Sequence, residues 1–245
     1  MVSRPVFSPL TDKIGVFVRN SAPFKWNPGF ALSQKQKNVN ALHAAICRED
    51  STRHPLEVSS KSSEVLGVAL SAFNLGIQDK KGRYISVESV FQASKVFEGN
   101  VGPFPDLYSQ DPATVRAKIK ECYDKRLIGF KLGSEEWGLE PTRAFYDWVY
   151  CRALHRNIEY VEGLREYNCF TDIEFNPVKS LNCQAYAVAL YLSLEENDVL
   201  EAALSCRESF LKFHPKGIVD HVKSNTVKSK RRKNEDAMMQ LTLGV

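Results

Sequence analysis

The 245-residue sequence predicts an α+β fold: a predominantly helical single domain with a small β-sheet. Three observations carry that prediction. Long segments place apolar residues at helical spacing, and one compact β-branched run, KIGVFVRN (13–20), suits a strand. Strands and helices do not alternate regularly, as a parallel doubly wound sheet would demand, and no internal repeat is present.

The elements follow in order. After the strand at 13–20, the prolines and glycine of PFKWNPGF mark a loop. Ser33 to Ile46 carries Val39, Leu42 and Ile46 at helical spacing, with Ser33 as its cap. HPLEVSSKSS and EVLGVALSAFNLG read as strand-like or irregular, and QDKKGRY as a turn. SVESVFQASKVF (86–97) reads as a helix capped by Ser86. The proline-rich VGPFPDLYSQ closes on Asp111 and Pro112, an N-cap followed by proline at the first helical position, and Pro141 opens a further helix in the same way. Pro177 breaks CFTDIEFNPVKSLNCQAYAVALYLSL, which restarts as a helix capped by Ser180. A last helix covers Asn197 to Phe213.

Composition narrows the function. With 43% apolar and 25% charged residues the chain can bury a core, and no apolar run approaches the length of a membrane span. The opening MVSRPVFSPLTDK lacks the apolar centre of a secretory signal, so a cytoplasmic protein is expected. The six cysteines are scattered, without a CxxC pair or Cys/His clustering, and no structural metal is expected. Charge is uneven: residues 212 to 233 hold eight Lys/Arg against one acid. The expected organisation is a domain over 1–213, including a distinct N-terminal segment 1–62, and a basic, flexible tail over 214–245. Such a tail suits either phosphate attraction or plain solubility.

One segment stands out chemically. Within 86–97 the only charged or amide side chains are Glu88, Gln92 and Lys95, which fall within about 60° of one another on a helical projection. A helix edge reaching solvent would explain that stripe. A second polar passage, TDIEFNPVKSLNCQA (171–185), gathers Asp172, Glu174, Asn176, Ser180, Asn182 and Gln184 around a proline break before an apolar helix, as a cleft lining would. Asn and Gln suit nucleobase edges and ribose hydroxyls, and aromatics such as Phe73 and Trp148 suit base faces, although core packing is the commoner role. No P-loop or GxGxxG is present.

The stretch LSAFNLGIQDKKGRYISVESVFQASKVF resembles the front half of the NADAR family, with its E-x-x-x-Q-x-x-K element. Together with GFALSQKQKNVNALH, LEVSSKSSEVLG, GFKLGSEEWGLEPTRAFYDW and FTDIEFNPVKSLNCQA, it is similar to the NADAR subgroup that serves as antitoxins to DNA-ADP-ribosylating, DarT-type toxins. The resemblance spans roughly residues 13 to 195. It implies a NADAR-like fold and a cofactor-free glycohydrolase that removes ADP-ribose from guanine bases by cleaving the N-glycosidic bond. Its implied partners are ADP-ribosylated single-stranded DNA and the cognate ADP-ribosyltransferase toxin. Glu88, Lys95 and Asp172 match the family's glutamate, lysine and late acid, with Gln92 between the first two. Phe73, Asn74, Trp148, Asn176, Asn182 and Gln184 are the expected substrate contacts, and Arg48 and Lys61 could reach the pyrophosphate. Two positions depart from the family. Ala72 replaces a common asparagine, whose contact would pass to Asn74, and IEFNP follows Asp172 where other branches have a tryptophan-glycine pair. The chemistry leaves two routes: a carboxylate-assisted hydrolysis, or attack by Lys95 and a Schiff base. Two other functions stay open, an N-glycosidase for a phosphorylated riboflavin-pathway intermediate and a non-catalytic antitoxin that binds toxin or modified DNA.

Overall fold

The apolar character of two helices organises the molecule, described here by a computed structural model of residues 1–177 and 180–215 together with the backbone of 219–220. The chain begins with two strands, β1 (Pro5–Pro9) and β2 (Val16–Asn20), and helix α1 (Leu32–Glu49). Short elements follow: β3 (Pro55–Glu57), α2 (Val65–Ala69), β4 (Gly76–Gln78), β5 (Tyr84–Ser86), α3 (Val87–Ala93) and β6 (Lys95–Phe97). Then come α4 (Pro112–Lys120), β7 (Leu127–Leu132), β8 (Glu135–Trp137), α5 (Ala144–His155) and α6 (Ile158–Leu164). The chain closes with β9 (Cys169–Thr171), α7 (Gln184–Glu196), α8 (Leu200–Leu204), α9 (Arg207–Phe213) and β10 (Val219–Asp220).

Every residue of α7 from Ala185 to Leu194 is buried, and so is α5 from Ala144 to Leu154 except Arg152. Helices apolar all round belong inside a fold, not on its surface. Accordingly α7 packs on strands β1, β2 and β9 on one side and on α5 on the other, and α5 packs in turn on α3. The sheet has the order β10-β2-β1-β9-β3. Its β1 pairs antiparallel with β2 and β9, while β3 runs parallel to β9 with Glu57 opposite Thr171. A smaller apolar cluster joins Val6, Cys169 and Ile173 to Val39, Leu42 and Ile46 of α1. The fold is thus α+β, with helix exceeding strand, as expected from the sequence.

Several local expectations need correction. The helix opening at Ser86 ends at Ala93, because Lys95–Phe97 leaves it to pair antiparallel with β7, Lys95 lying opposite Phe130. The β-branched Val96 and aromatic Phe97 gain a ladder partner there, which outweighs continued helix. Residues Val65–Ala69 form a helix, not a strand or an irregular run. The cap of α1 is Ala31, not Ser33, and that of α7 is Cys183, not Ser180, whose hydroxyl closes the preceding loop on the Asn182 carbonyl. Pro141 precedes α5 without opening it, since the N-cap is Arg143 in the left-handed region, φ 76°. The single helix expected over 197–213 is two, separated at Ser205 and Cys206. Beyond β10, whose backbone runs parallel to β2, the basic tail lies outside the described residues.

Candidate active site

Ser86 caps α3 by accepting from the Ser89 amide (3.1 Å), and Asp111 caps α4 by accepting from the Thr114 amide (3.0 Å), as their positions in the sequence indicate. The two helices pack together, and that contact brings Arg116 to Glu88, with Nε 3.6 Å from Oε1. Glu88 is 8% exposed and also accepts from Gln92 Nε2 at 3.0 Å. Its acidic position in the first turn suits the helix dipole. Gln92 keeps its own Oε1 buried without a partner among the described residues.

Lys95 is fully buried although it leaves the helix, and its Nζ has no hydrogen-bond partner among the described residues. The ammonium group lies 5.4 Å from the ring centres of both Phe91 and Tyr123. Burial pulls its pKa down to about 8, Glu88 opposes the fall and Arg116 adds to it. Gly102 holds the strand in place. Its φ of 89° and the closeness of the Lys95 carbonyl to where a Cβ would stand both require glycine.

Asp172 reaches the same region from the opposite end of the sequence. The Ala72 peptide is the bridge: its carbonyl accepts from the Glu88 amide (2.9 Å), and its N–H donates to Gln184 Oε1. Gln184 Nε2 in turn donates to Asp172 at 3.2 Å. The other Asp172 oxygen accepts from the Glu174 and Phe175 amides, both at 3.1 Å. Burial, reinforced by Glu57, pushes the Asp172 pKa up to about 7.

Glu57 fixes the backbone on both sides of Asp172. Its carboxylate accepts from the Thr171 hydroxyl (2.6 Å), the Ile173 amide (2.8 Å) and the Ser59 hydroxyl (2.6 Å). Burial raises its pKa despite these three donors. Since Thr171 spends its proton on Glu57, His43 Nε2, 3.0 Å from Thr171 Oγ1, is the donor of that pair. Burial lowers the His43 pKa to about 4, so the ring is neutral.

A cavity of about 300 Å³ adjoins this cluster, lined among others by Phe91, Phe145, Tyr146, Thr142, Arg143 and Asn182. Tyr146 couples the two regions: burial pushes its phenol well up, with Tyr150, Glu88 and Asp172 adding to the rise. Phe73, 39% exposed, lies beneath the Arg116 guanidinium at 5.7 Å.

The structure therefore forms two polar groups, Glu88 with Gln92 and Lys95, and Asp172 with Gln184, linked through the Ala72 backbone, with Asn182 in the adjoining cavity and Phe73 beside Arg116. Asn176 is half-buried in the loop after Asp172, its carbonyl accepting from the Ser180 amide. Lys61 follows β3, its amide donating to Ser59 Oγ. Other residues go elsewhere. Trp148 is a core residue against Trp137 and Arg152, beside a separate cavity with Ile77 and Val90. Asn74 is exposed and donates to the Val68 carbonyl. Arg48 is exposed in the last turn of α1, about 20 Å along the helix from Lys35, which pairs with Glu174. Sequence reasoning missed Glu57, Arg116, His43 and Arg143. Only Glu57 carried a signal, an acid flanked by apolar Leu56 and Val58 in a short strand.

Among the described residues no group of three or more His, Cys, Asp or Glu side chains is placed to hold a metal ion, and no helix is long and apolar enough to cross a membrane. Residues 2–224 match the protein family described as DarT1-associated NADAR antitoxin. No curated protein matches the chain.

Proposed function

The chain belongs to the DarT1-associated NADAR antitoxins, and from that premise of an antitoxin paired with a DarT toxin we propose that it acts as a glycohydrolase. In this reading it removes ADP-ribose from guanine bases of DNA by breaking the N-glycosidic bond. The observation that carries the reading is Lys95: a fully buried amine, without a hydrogen-bond partner among the described residues, whose pKa falls to about 8 beside the Glu88 carboxylate. A lysine kept dry without a hydrogen-bonded partner is costly to the fold, and such groups concentrate where a nucleophile is needed.

The neutral Lys95 amine attacks the anomeric carbon of the ribose as its bond to guanine breaks. Asp172, with its pKa near 7, supplies the proton that the departing base requires, and Glu88 takes the proton released by the attacking amine. Ring opening turns the lysine adduct into a Schiff base. Water then adds to it, which frees ADP-ribose and restores the amine. Before attack, Glu88 also offsets the positive charge growing on the ribose. Gln92 and Arg116 fix the Glu88 carboxylate, Gln184 and the 174 and 175 amides fix that of Asp172, and Phe73 with Arg116 frames the place of the base.

The test is a mass assay of a guanine-ADP-ribosylated single-stranded oligonucleotide. Wild type should release intact ADP-ribose and restore the unmodified DNA, whereas folded Glu88→Gln and Lys95→Met should not. Modified DNA left intact by folded wild type would refute the hydrolase.

A further inference from the structure

The cavity beside the cluster contains a cation that the proposed chemistry leaves unused. Arg143 is a wall of this cavity, its side chain is only 7% exposed, and its Nε has no partner among the described residues. One guanidinium nitrogen, Nη2, donates to Asp147 at 3.2 and 3.3 Å from the two oxygens, and the group lies 3.4 Å from the centre of the Tyr186 ring. Asp147 is itself braced by His214 at 3.0 Å. The guanidinium is thus fixed before any ligand arrives, which reduces the entropy lost on binding.

The backbone points to the same use. Arg143 is the N-cap of the twelve-residue helix α5, makes no side-chain cap and sits at φ 76°, a conformation that a non-glycine residue holds only when its surroundings impose it. The Ala144 amide donates to the Pro141 carbonyl, but the first-turn amides of Phe145 and Tyr146 have no acceptor within the helix, and both residues line the cavity. Amides and dipole at a helix start favour an anion. Asp147 balances the charge of Arg143 and Glu140 lines the same cavity, so the preference rests on donors: the Arg143 Nε–H, which has no partner among the described residues, and the first-turn amides. Glu140 turns its carboxylate to the Thr142 amide and hydroxyl, and Arg126 pairs with Glu98.

We propose that the cavity over the start of α5 is a phosphate-binding subsite, in which Arg143 and the first-turn amides of α5 hold a phosphate group of the substrate. It rests on the reading above, because the adjoining cluster would act on a ligand that carries phosphate in two places: the pyrophosphate of the ADP-ribosyl group and the backbone of the DNA. Arg143 then takes the role that the sequence suggested for Arg48, which lies in the exposed last turn of α1.

The experiment is calorimetric titration of the full chain, at fixed ionic strength, with inorganic pyrophosphate, ADP-ribose and an unmodified single-stranded oligonucleotide. The comparison uses Arg143→Gln and Leu139→Trp. Leu139 is a 37%-exposed lining residue whose enlargement fills the cavity while leaving the Arg143–Asp147 pair intact, so it answers the question even if Arg143→Gln fails to fold. A tenfold or greater loss of affinity for pyrophosphate and ADP-ribose in the folded variants is the expected result and assigns the subsite to the ADP-ribosyl group. A loss confined to the oligonucleotide assigns it to the DNA backbone. Unchanged affinity for all three, or no binding by wild type, overturns the proposal. Release of ADP-ribose by wild type is measured separately. Its absence refutes the hydrolase reading, whereas release with unchanged affinities in the variants refutes the subsite alone.

Discussion

Lys95, Asp172 and Glu57 share one property: each is an ionisable group held where its charge is disfavoured. For Lys95 the sign is clear. Its folded pKa of about 8 lies below the unfolded value of 10.5, so the penalty of burying the charge is fully present below pH 8 and disappears as pH rises from 8 toward 10.5. A shift of that size corresponds to about 3 kcal/mol. Lys95→Met should therefore raise stability in urea at pH 7 while abolishing release of ADP-ribose, and the gain should shrink by pH 10. A denaturation series across pH checks it, and equal or lower stability of the variant at pH 7 would show that the lysine is not strained. The catalytic profile follows from the same groups. Release requires Lys95 neutral and Asp172 protonated, so the rate should rise up to about pH 7, peak between 7 and 8, and fall above 8. Asp172→Asn should slow release roughly 100-fold to 10,000-fold, the usual range for loss of a general acid, and flatten the alkaline limb. A profile that still falls above pH 8 in this variant would remove Asp172 from the acid role.

Among the elements, the start of α3 was the most legible, because Ser86 as cap and the apolar Val87, Phe91 and Ala93 all favour the same helix. Its end was not legible. Nothing local distinguishes Lys95–Phe97 from continued helix until β7 is present to pair with it, and that partner lies more than thirty residues on. The strand nonetheless leaves Lys95 near enough to Glu88 for the carboxylate to oppose the fall of its pKa. The caps of α1 and α7 were misread because Ser33 and Ser180 are favourable caps by type, whereas the chain path sets the boundary at Ala31 and Cys183. Two substitutions probe these elements. Gly102→Ala should distort β6 against the Lys95 carbonyl and depress both melting temperature and release. Leu190→Ala, in the centre of α7, should cost about 2–5 kcal/mol in chemical denaturation, and a smaller loss would mean that the core between α5 and the sheet is less tightly packed than described.

Across the whole molecule, the proposed site draws on parts of the chain that share no local pattern: β3 and β9 supply Glu57 and the Asp172 turn, α3 and β6 supply Glu88 and Lys95, and α4 supplies Arg116. The contacts of Arg116 with Glu88 and of His43 with Thr171 were not readable in the sequence, because they depend on helix packing and not on spacing. In cells carrying the DarT1 toxin, wild type should restore growth and Lys95→Met should not. Rescue by folded Lys95→Met would favour an antitoxin that masks its target over one that turns over. The most direct test of the covalent hydrolase is borohydride trapping. Wild type is incubated with guanine-ADP-ribosylated oligonucleotide and borohydride, and the protein is mapped by mass. The account predicts a reduced ADP-ribose adduct on Lys95, with loss of activity that depends on substrate. Unmodified Lys95 in protein that still releases ADP-ribose would contradict it.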